Sequence, residues 1–219
     1  MSSPVVPFSL KDAPALIERL LPVQKLSAEA YKEQMAGSGK TLTALGSYWK
    51  GRKPLILAKA CVLGCLLPAT NDSARDLEIF ERLMAMDDES LIIRLTRRNR
   101  GIQQLHNASY RELVNQAKRP EEVMDSVYDH IWNDVNVHLH TSAKSFSELV
   151  EQLGIMRFGH RPTVADTFSG SGQIPFEAAR LGCDVYASDL NPVACMLTWG
   201  DFNIVGCTKE NRSILKHEQ

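Results

Sequence analysis

Apolar residues recur at helical spacing through most of the first 150 positions and shift to short strand-like runs only near the end. Pro54 opens the run Leu55-Ile-Leu-Ala-Lys-Ala-Cys-Val-Leu-Gly-Cys-Leu-Leu67, and Pro68 closes it. The run is too short to span a membrane and carries Lys59, so it predicts a buried helix. Ser73 is placed to cap a helix over 74–86, where Leu77, Phe80, Leu83 and Met84 repeat on one face. Ser109-x-x-Glu112 and Ser145-x-x-Glu148 have the form of capping boxes, the second opening a helix expected to stop near Gly154. Pro120 is expected to start another helix running through Ile131 and Trp132, and a helical segment covers 28–35. Residues 68–73 and 134–144 read as linkers, and no repeat or low-complexity tract appears.

Two later runs break this pattern: Thr163-Val-Ala-Asp-Thr-Phe-Ser-Gly-Ser-Gly-Gln-Ile-Pro175 and Val185-Tyr-Ala-Ser-Asp-Leu-Asn-Pro192. They read as strand, glycine turn, helix, and a second strand ending in a carboxylate. That order opens a nucleotide-type cofactor site on a parallel sheet. Gly170 and Gly172 let the backbone bend sharply and a ligand come close. Gly182 sits where a C-cap glycine would stop the helix. Asp189 follows Gly172 at roughly the ~20-residue interval at which an acid meets a ribose hydroxyl, and Asn191-Pro192 starts another helix. A dinucleotide fingerprint would want a third glycine where Pro175 stands, and it would bring a pyrophosphate to the turn. Asp166, just ahead of Gly170, would oppose that phosphate, whereas the sulfonium and α-ammonium of S-adenosylmethionine favour a carboxylate there. Phe168 stands in register with these acids. A methyl-donor site is therefore the favoured reading; a dinucleotide site and a plain strand–turn–helix without ligand stay open.

Asp166-Thr-Phe-Ser-Gly-Ser-Gly172 with Asp189-Leu-Asn-Pro192 resembles the cofactor motifs of DNA amino-methyltransferases. The upstream run Leu21-Pro-Val-Gln-Lys-Leu-Ser-Ala-Glu-Ala30, then Ser47-Tyr-Trp-Lys-Gly-Arg-Lys-Pro54 and Leu66-Leu-Pro68, narrows this. It is similar to the N-terminal region of large adenine-specific DNA methylases often found beside phage-defence genes. The resemblance implies that Asp166 and Gly170 face the methionine moiety and that Gly172 lets the turn pass beneath it. It further implies that Asp189 accepts from the ribose hydroxyls, that Leu190 packs on the adenine, and that Trp49, Lys53 and Pro54 belong to a segment closing the pocket. DNA, met through the intact protein, and defence-system proteins are the partners it implies. The base would be adenine, methylated at N6.

Such enzymes act through an Asn/Asp/Ser-Pro-Pro-aromatic loop, which this chain lacks, and Cys195 follows Ala194 rather than the proline of a cytosine-C5 nucleophile. No catalytic residue is therefore assigned: the chain would bind the donor without transferring its methyl. With 219 residues and only two convincing strands, near 163–167 and 184–188, a doubly wound sheet would be incomplete. The expected organisation is α/β: a helical N-terminal region over 1–150, then the first β-α-β-α of a Rossmann-like S-adenosylmethionine methyltransferase sheet over 151–219. The chain would then be the N-terminal piece of a longer protein. The reading from a different class is a non-catalytic module that folds against a partner or a downstream half.

Net charge −1 and a pI near 6.6 give no global pull toward nucleic acid. Locally, Arg94, Arg97, Arg98 and Arg100 form one basic run and Lys50, Arg52 and Lys53 another; each reads as a solvated helix end or as a phosphate contact. Five cysteines without paired spacing, and no secretory signal, suit a reducing cytoplasm. Gly37-Ser-Gly-Lys-Thr41 has the end of a Walker loop, but Gln34 occupies the position of its first glycine. Cys61 and Cys65 share a helix face and read as buried thiols that need no metal. His130, His138 and His140 read as surface or loop histidines, so no metal ligand is assigned.

Overall fold

The computed structural model describes residues 5–36, 42, 49, 51–95, 108–123 and 127–206. These residues are mostly helical with one small parallel sheet, broadly α/β as expected. A 3-10 turn, Leu16–Glu18, leads into α1 (Val23–Gln34), α2 (Leu55–Leu66), α3 (Ser73–Leu83), α4 (Asp88–Arg94) and α5 (Tyr110–Gln116). After a second 3-10 turn, Pro120–Glu122, come α6 (Trp132–Leu139), α7 (Phe146–Phe158), β1 (Thr163–Asp166), α8 (Gln173–Leu181), β2 (Asp184–Ala187) and α9 (Pro192–Gly200). A π-helical turn, Asp201–Val205, continues α9.

Helix α2 is the hub, packed against α1, α7 and α8. Its apolar residues run round the whole helix, so burial on most sides is the stable outcome. Pro54 cannot cap it with a side chain, and Glu33 from α1 does so instead. The Glu33 carboxylate accepts from the Leu55 and Ile56 N–H groups at 2.8 and 3.1 Å. At the other end the Arg157 guanidinium donates to the Leu67 and Ala13 carbonyls at 3.0 Å each, and to that of Leu66. One apolar cluster joins Leu16, Leu63, Phe80, Ile131, Leu149 and Leu181. Residue 150 lies inside α7, so this cluster runs on both sides of the expected boundary.

Several local expectations need correction. Asp72, not Ser73, caps α3, accepting from the Arg75 N–H, and α3 ends at Leu83 rather than Met86. Residues 68–73 are pinned, because buried Asp76 accepts from the Thr70 N–H and hydroxyl at 2.6 and 2.9 Å. The run 134–144 is largely α6 rather than a linker. Pro120 opens only a 3-10 turn, and the helix holding Trp132 starts at that residue. Ser109 and Glu112 form the expected box. At α7 only half of it forms, since Glu148 accepts from the Lys144 N–H. Gly154 does not stop α7; a Cβ there would lie 2.4 Å from Pro162, so glycine is needed for close packing, and Gly159 caps the helix.

Arg94 is neither a solvated helix end nor a phosphate contact. It is fully buried and clamps Glu29 through two bonds of 2.7 and 2.8 Å, while Tyr110 donates to the same carboxylate. Cys61 and Cys65 are exposed, not buried. His138 pairs with Asp76 at 2.8 Å, and His130 is half-buried near Asp87. The Walker-like segment 37–41, Lys50, and Arg97, Arg98 and Arg100 lie outside the described residues. No helix among the described residues is long and apolar enough to cross a membrane.

Strands β1 and β2 pair in parallel from Thr163–Asp184 to Asp166–Ala187, as the two apolar runs predict. Helix α8 connects them and packs on both. Gly182 ends α8 at φ +105°, the C-cap role expected of it. The sheet face bearing Thr163, Ala165, Asp184 and Tyr186 is exposed.

Candidate functional site

The site is built where β1 and β2 end. The Ser188 N–H donates to the Asp166 carbonyl and the Ser169 N–H to that of Ser188, each at 3.0 Å, so the two chain exits are laced together. Between them the backbone turns through Gly170 at φ +53° and Gly172 at φ +76°. Both angles lie in the left-handed region that glycine adopts without penalty. The two glycines serve different neighbours. A Cβ on Gly170 would lie 2.9 Å from the Trp49 indole nitrogen, whereas one on Gly172 would lie 2.8 Å from the Thr198 hydroxyl of α9. Gly172 therefore admits a helix rather than a ligand.

Asp189 secures the turn. One carboxylate oxygen accepts from the Gly170 N–H at 2.8 Å and the other from the Asn191 N–H at 2.9 Å. These two backbone donors, Asn191 first, hold its carboxyl below the usual carboxylate range. Each oxygen keeps acceptor capacity for a further donor. Asn191 then caps α9, its side chain accepting from the Val193 N–H.

Trp49, Lys53, Asp166, Phe168 and Gly170 line one cleft of about 140 Å³. The structure thus brings Trp49, Arg52 and Lys53, distant in sequence, against the glycine turn. Pro54 is buried at the start of α2 and does not line the cleft, nor do Asp189, Leu190 and Gly172. Leu190 and Phe168 are 92% and 79% exposed, so neither is held by packing. Ligand sites for whole small molecules run to about 300 Å³ and above. As it stands, the cleft takes a group the size of an amino acid rather than a nucleoside.

Its lining includes a carboxylate, Asp166, and two cations, Lys53 and Arg52. That polarity suits a zwitterion with an ammonium and a carboxylate. Ser169, Ser171 and Gln173 belong to the lining and were not singled out by sequence; Arg52, read from sequence only as part of a basic run, lines it too. The signal for the two serines is their alternation with Gly170 and Gly172; for Arg52 it is adjacency to Lys53. Among the described residues of the cleft no side chain is poised as a nucleophile against a base.

Residues 20–83 match a family described as "Protein of unknown function (DUF1156)". The match takes in α1 to α3 and the Trp49–Pro54 segment but stops well before the glycine turn. No curated protein and no solved structure matches the chain.

Proposed function

We propose that the chain holds S-adenosylmethionine at the glycine turn, as the donor-binding part of a DNA methyltransferase acting on a base amino group, adenine N6, in the cytoplasm. The observation that carries this reading is the meeting of Trp49 and Lys53 with Asp166 and Gly170 in one cleft. Asp166 would take the donor's α-ammonium, and Lys53 with Arg52 its carboxylate. Asp189 keeps acceptor capacity for ribose hydroxyls, and exposed Leu190 and Phe168 offer apolar surface to an adenine. The bound donor would supply an electrophilic methyl; this chain's residues would bind and orient it. A Rossmann-like sheet would be the frame, with the target-side loop and the flipped base outside this chain.

Calorimetric titration with S-adenosylhomocysteine tests the reading. Saturable binding is expected, weakened about tenfold or more by Asp166→Ala or Trp49→Ala. Asp189→Asn, which keeps an acceptor, should bind better than Asp189→Ala. A cooperatively melting chain that takes up no ligand would overturn the proposal.

A second reading, a non-catalytic module that docks its sheet on a partner, is favoured by one observation. Tyr186, Val193, Met196, Trp199 and Ile204 are all exposed. Sedimentation that stays monomeric at high concentration, together with donor binding, would favour the first reading.

A further inference from the structure

Lys59 sits in the middle of α2, only 3% exposed. Its ammonium donates to the Tyr128 hydroxyl at 2.9 Å and stands 4.1 Å from the centre of the Phe146 ring and 4.5 Å from that of Tyr128. Among the described residues no carboxylate lies within ion-pair distance of it. A buried ammonium without a counter-charge is costly, and rings and a phenol offset only part of that cost.

Beside it opens a cavity of about 470 Å³, at the end of α8 away from the glycine turn. Trp132 and Phe146 form an aromatic wall, packed edge-to-face with ring centres 5.6 Å apart. Lys144 and Arg180 add positive charge at the lining, and among the described lining residues Asp129 is the one acid. Arg180 is held by buried Glu177 through two 2.8 Å bonds. Ser145 and Ser147 at the start of α7 also reach the cavity, so the positive end of a 13-residue helix faces it. The cavity therefore combines a buried ammonium that has no described carboxylate at ion-pair distance, a net positive described lining and flat apolar walls.

We propose that this cavity is a second ligand site, taking a small carboxylate with a flat apolar body, its charge on Lys59 and its body against Phe146 and Trp132. An aromatic carboxylate is the simplest such molecule. The ligand would place a carboxylate at ion-pair distance from Lys59, and the aromatic wall would select against small hydrated anions. The proposal stands independently of the donor site.

The probe is benzoate, titrated calorimetrically into the full chain at fixed ionic strength beside acetate and benzyl alcohol. Saturable benzoate binding is expected, with either comparison compound weaker by about tenfold or more. Lys59→Met should abolish the benzoate signal while melting at or above the wild-type temperature, and Lys144→Ala should weaken it about threefold. A second readout needs no Lys59 variant: 4-bromobenzoate should quench Trp132 fluorescence, and Trp132→Phe should remove that component. Absence of benzoate binding, equal binding by folded Lys59→Met, or quenching indifferent to Trp132→Phe would each overturn the proposal.

Discussion

Helices α2 and α9 are similarly rich in apolar residues, yet the fold treats them oppositely. In α2, Leu55, Ala58, Val62, Leu63 and Leu66 are all buried between α1, α7 and α8. In α9, Ala194 is covered, while Val193, Met196 and Trp199 are 55%, 72% and 60% exposed. The contrast extends to polar groups. Around α2, buried Glu33 and Arg157 find backbone partners at both helix ends. At the end of α9, buried Asp201 has neither carboxylate oxygen hydrogen-bonded among the described residues, and burial pushes its carboxyl up to about 6. An apolar, polar-unsatisfied region beside a two-stranded parallel sheet is one that a further surface would stabilise. The helical side is closed; the sheet side is open.

The largest expected effect breaks the closed side. Arg94→Met removes the guanidinium that clamps Glu29 and leaves a buried carboxylate with Tyr110 as its one side-chain donor among the described residues. Breaking a buried pair this way costs about 3–5 kcal/mol, which denaturant unfolding would read as a lowered midpoint. A loss under about 1 kcal/mol would mean that α1, α4 and α5 are not sealed around this pair in solution.

That pair also marks the limit of what sequence discloses. Residues 29 and 94 are 65 apart, and neither belongs to a local pattern that would match them. Caps and turns act over three or four residues, which is why Ser109 with Glu112, Gly182 and the two strands could be read from sequence directly. Asp72 took the cap expected of Ser73 because the two are adjacent and both are good cap residues. Residues 134–144 carry few strong helix formers, and α6 forms because Val135 and Leu139 are buried against the common cluster. At the candidate site the glycine turn was legible, being one contiguous motif. The division of labour between its glycines was not, since it depends on Trp49 and Thr198 arriving from elsewhere.

A smaller effect sharpens the comparison through pH. Burial, with Arg180 adding to it, lowers the Lys59 ammonium from 10.5 to about 7, against the raising influence of Glu177 and Glu121. The folded state therefore sheds this proton more readily than the unfolded chain. Below pH 7 the penalty is present in full; it shrinks as pH rises from about 7 to 10.5. Because other groups titrate in the same range, the useful quantity is the stability of wild type minus that of Lys59→Met. It should rise across that window by at most about 1.4 kcal/mol per pH unit. A flat difference would place Lys59 in a solvated setting, removing the contrast between its burial and the exposure of α9.

The smallest stability effect belongs to the open side and is the most diagnostic. Met196→Ser with Trp199→Ser replaces two side chains that already face solvent. Removing exposed apolar groups takes little packing from the monomer, so unfolding stability should move by no more than about 0.5 kcal/mol. The same double variant should self-associate less at high concentration, because Met196 and Trp199 follow Val193 at three-residue spacing along one exposed apolar face of α9. The two measurements decide together. Unchanged stability with reduced association means that α9 is exposed in the free chain and sticky because of it. A loss above about 1 kcal/mol would mean that Met196 and Trp199 are packed in solution, and that α9 is as closed as α2. Unchanged values in both would leave the face exposed but inert, and the docking reading would lose the observation that favours it.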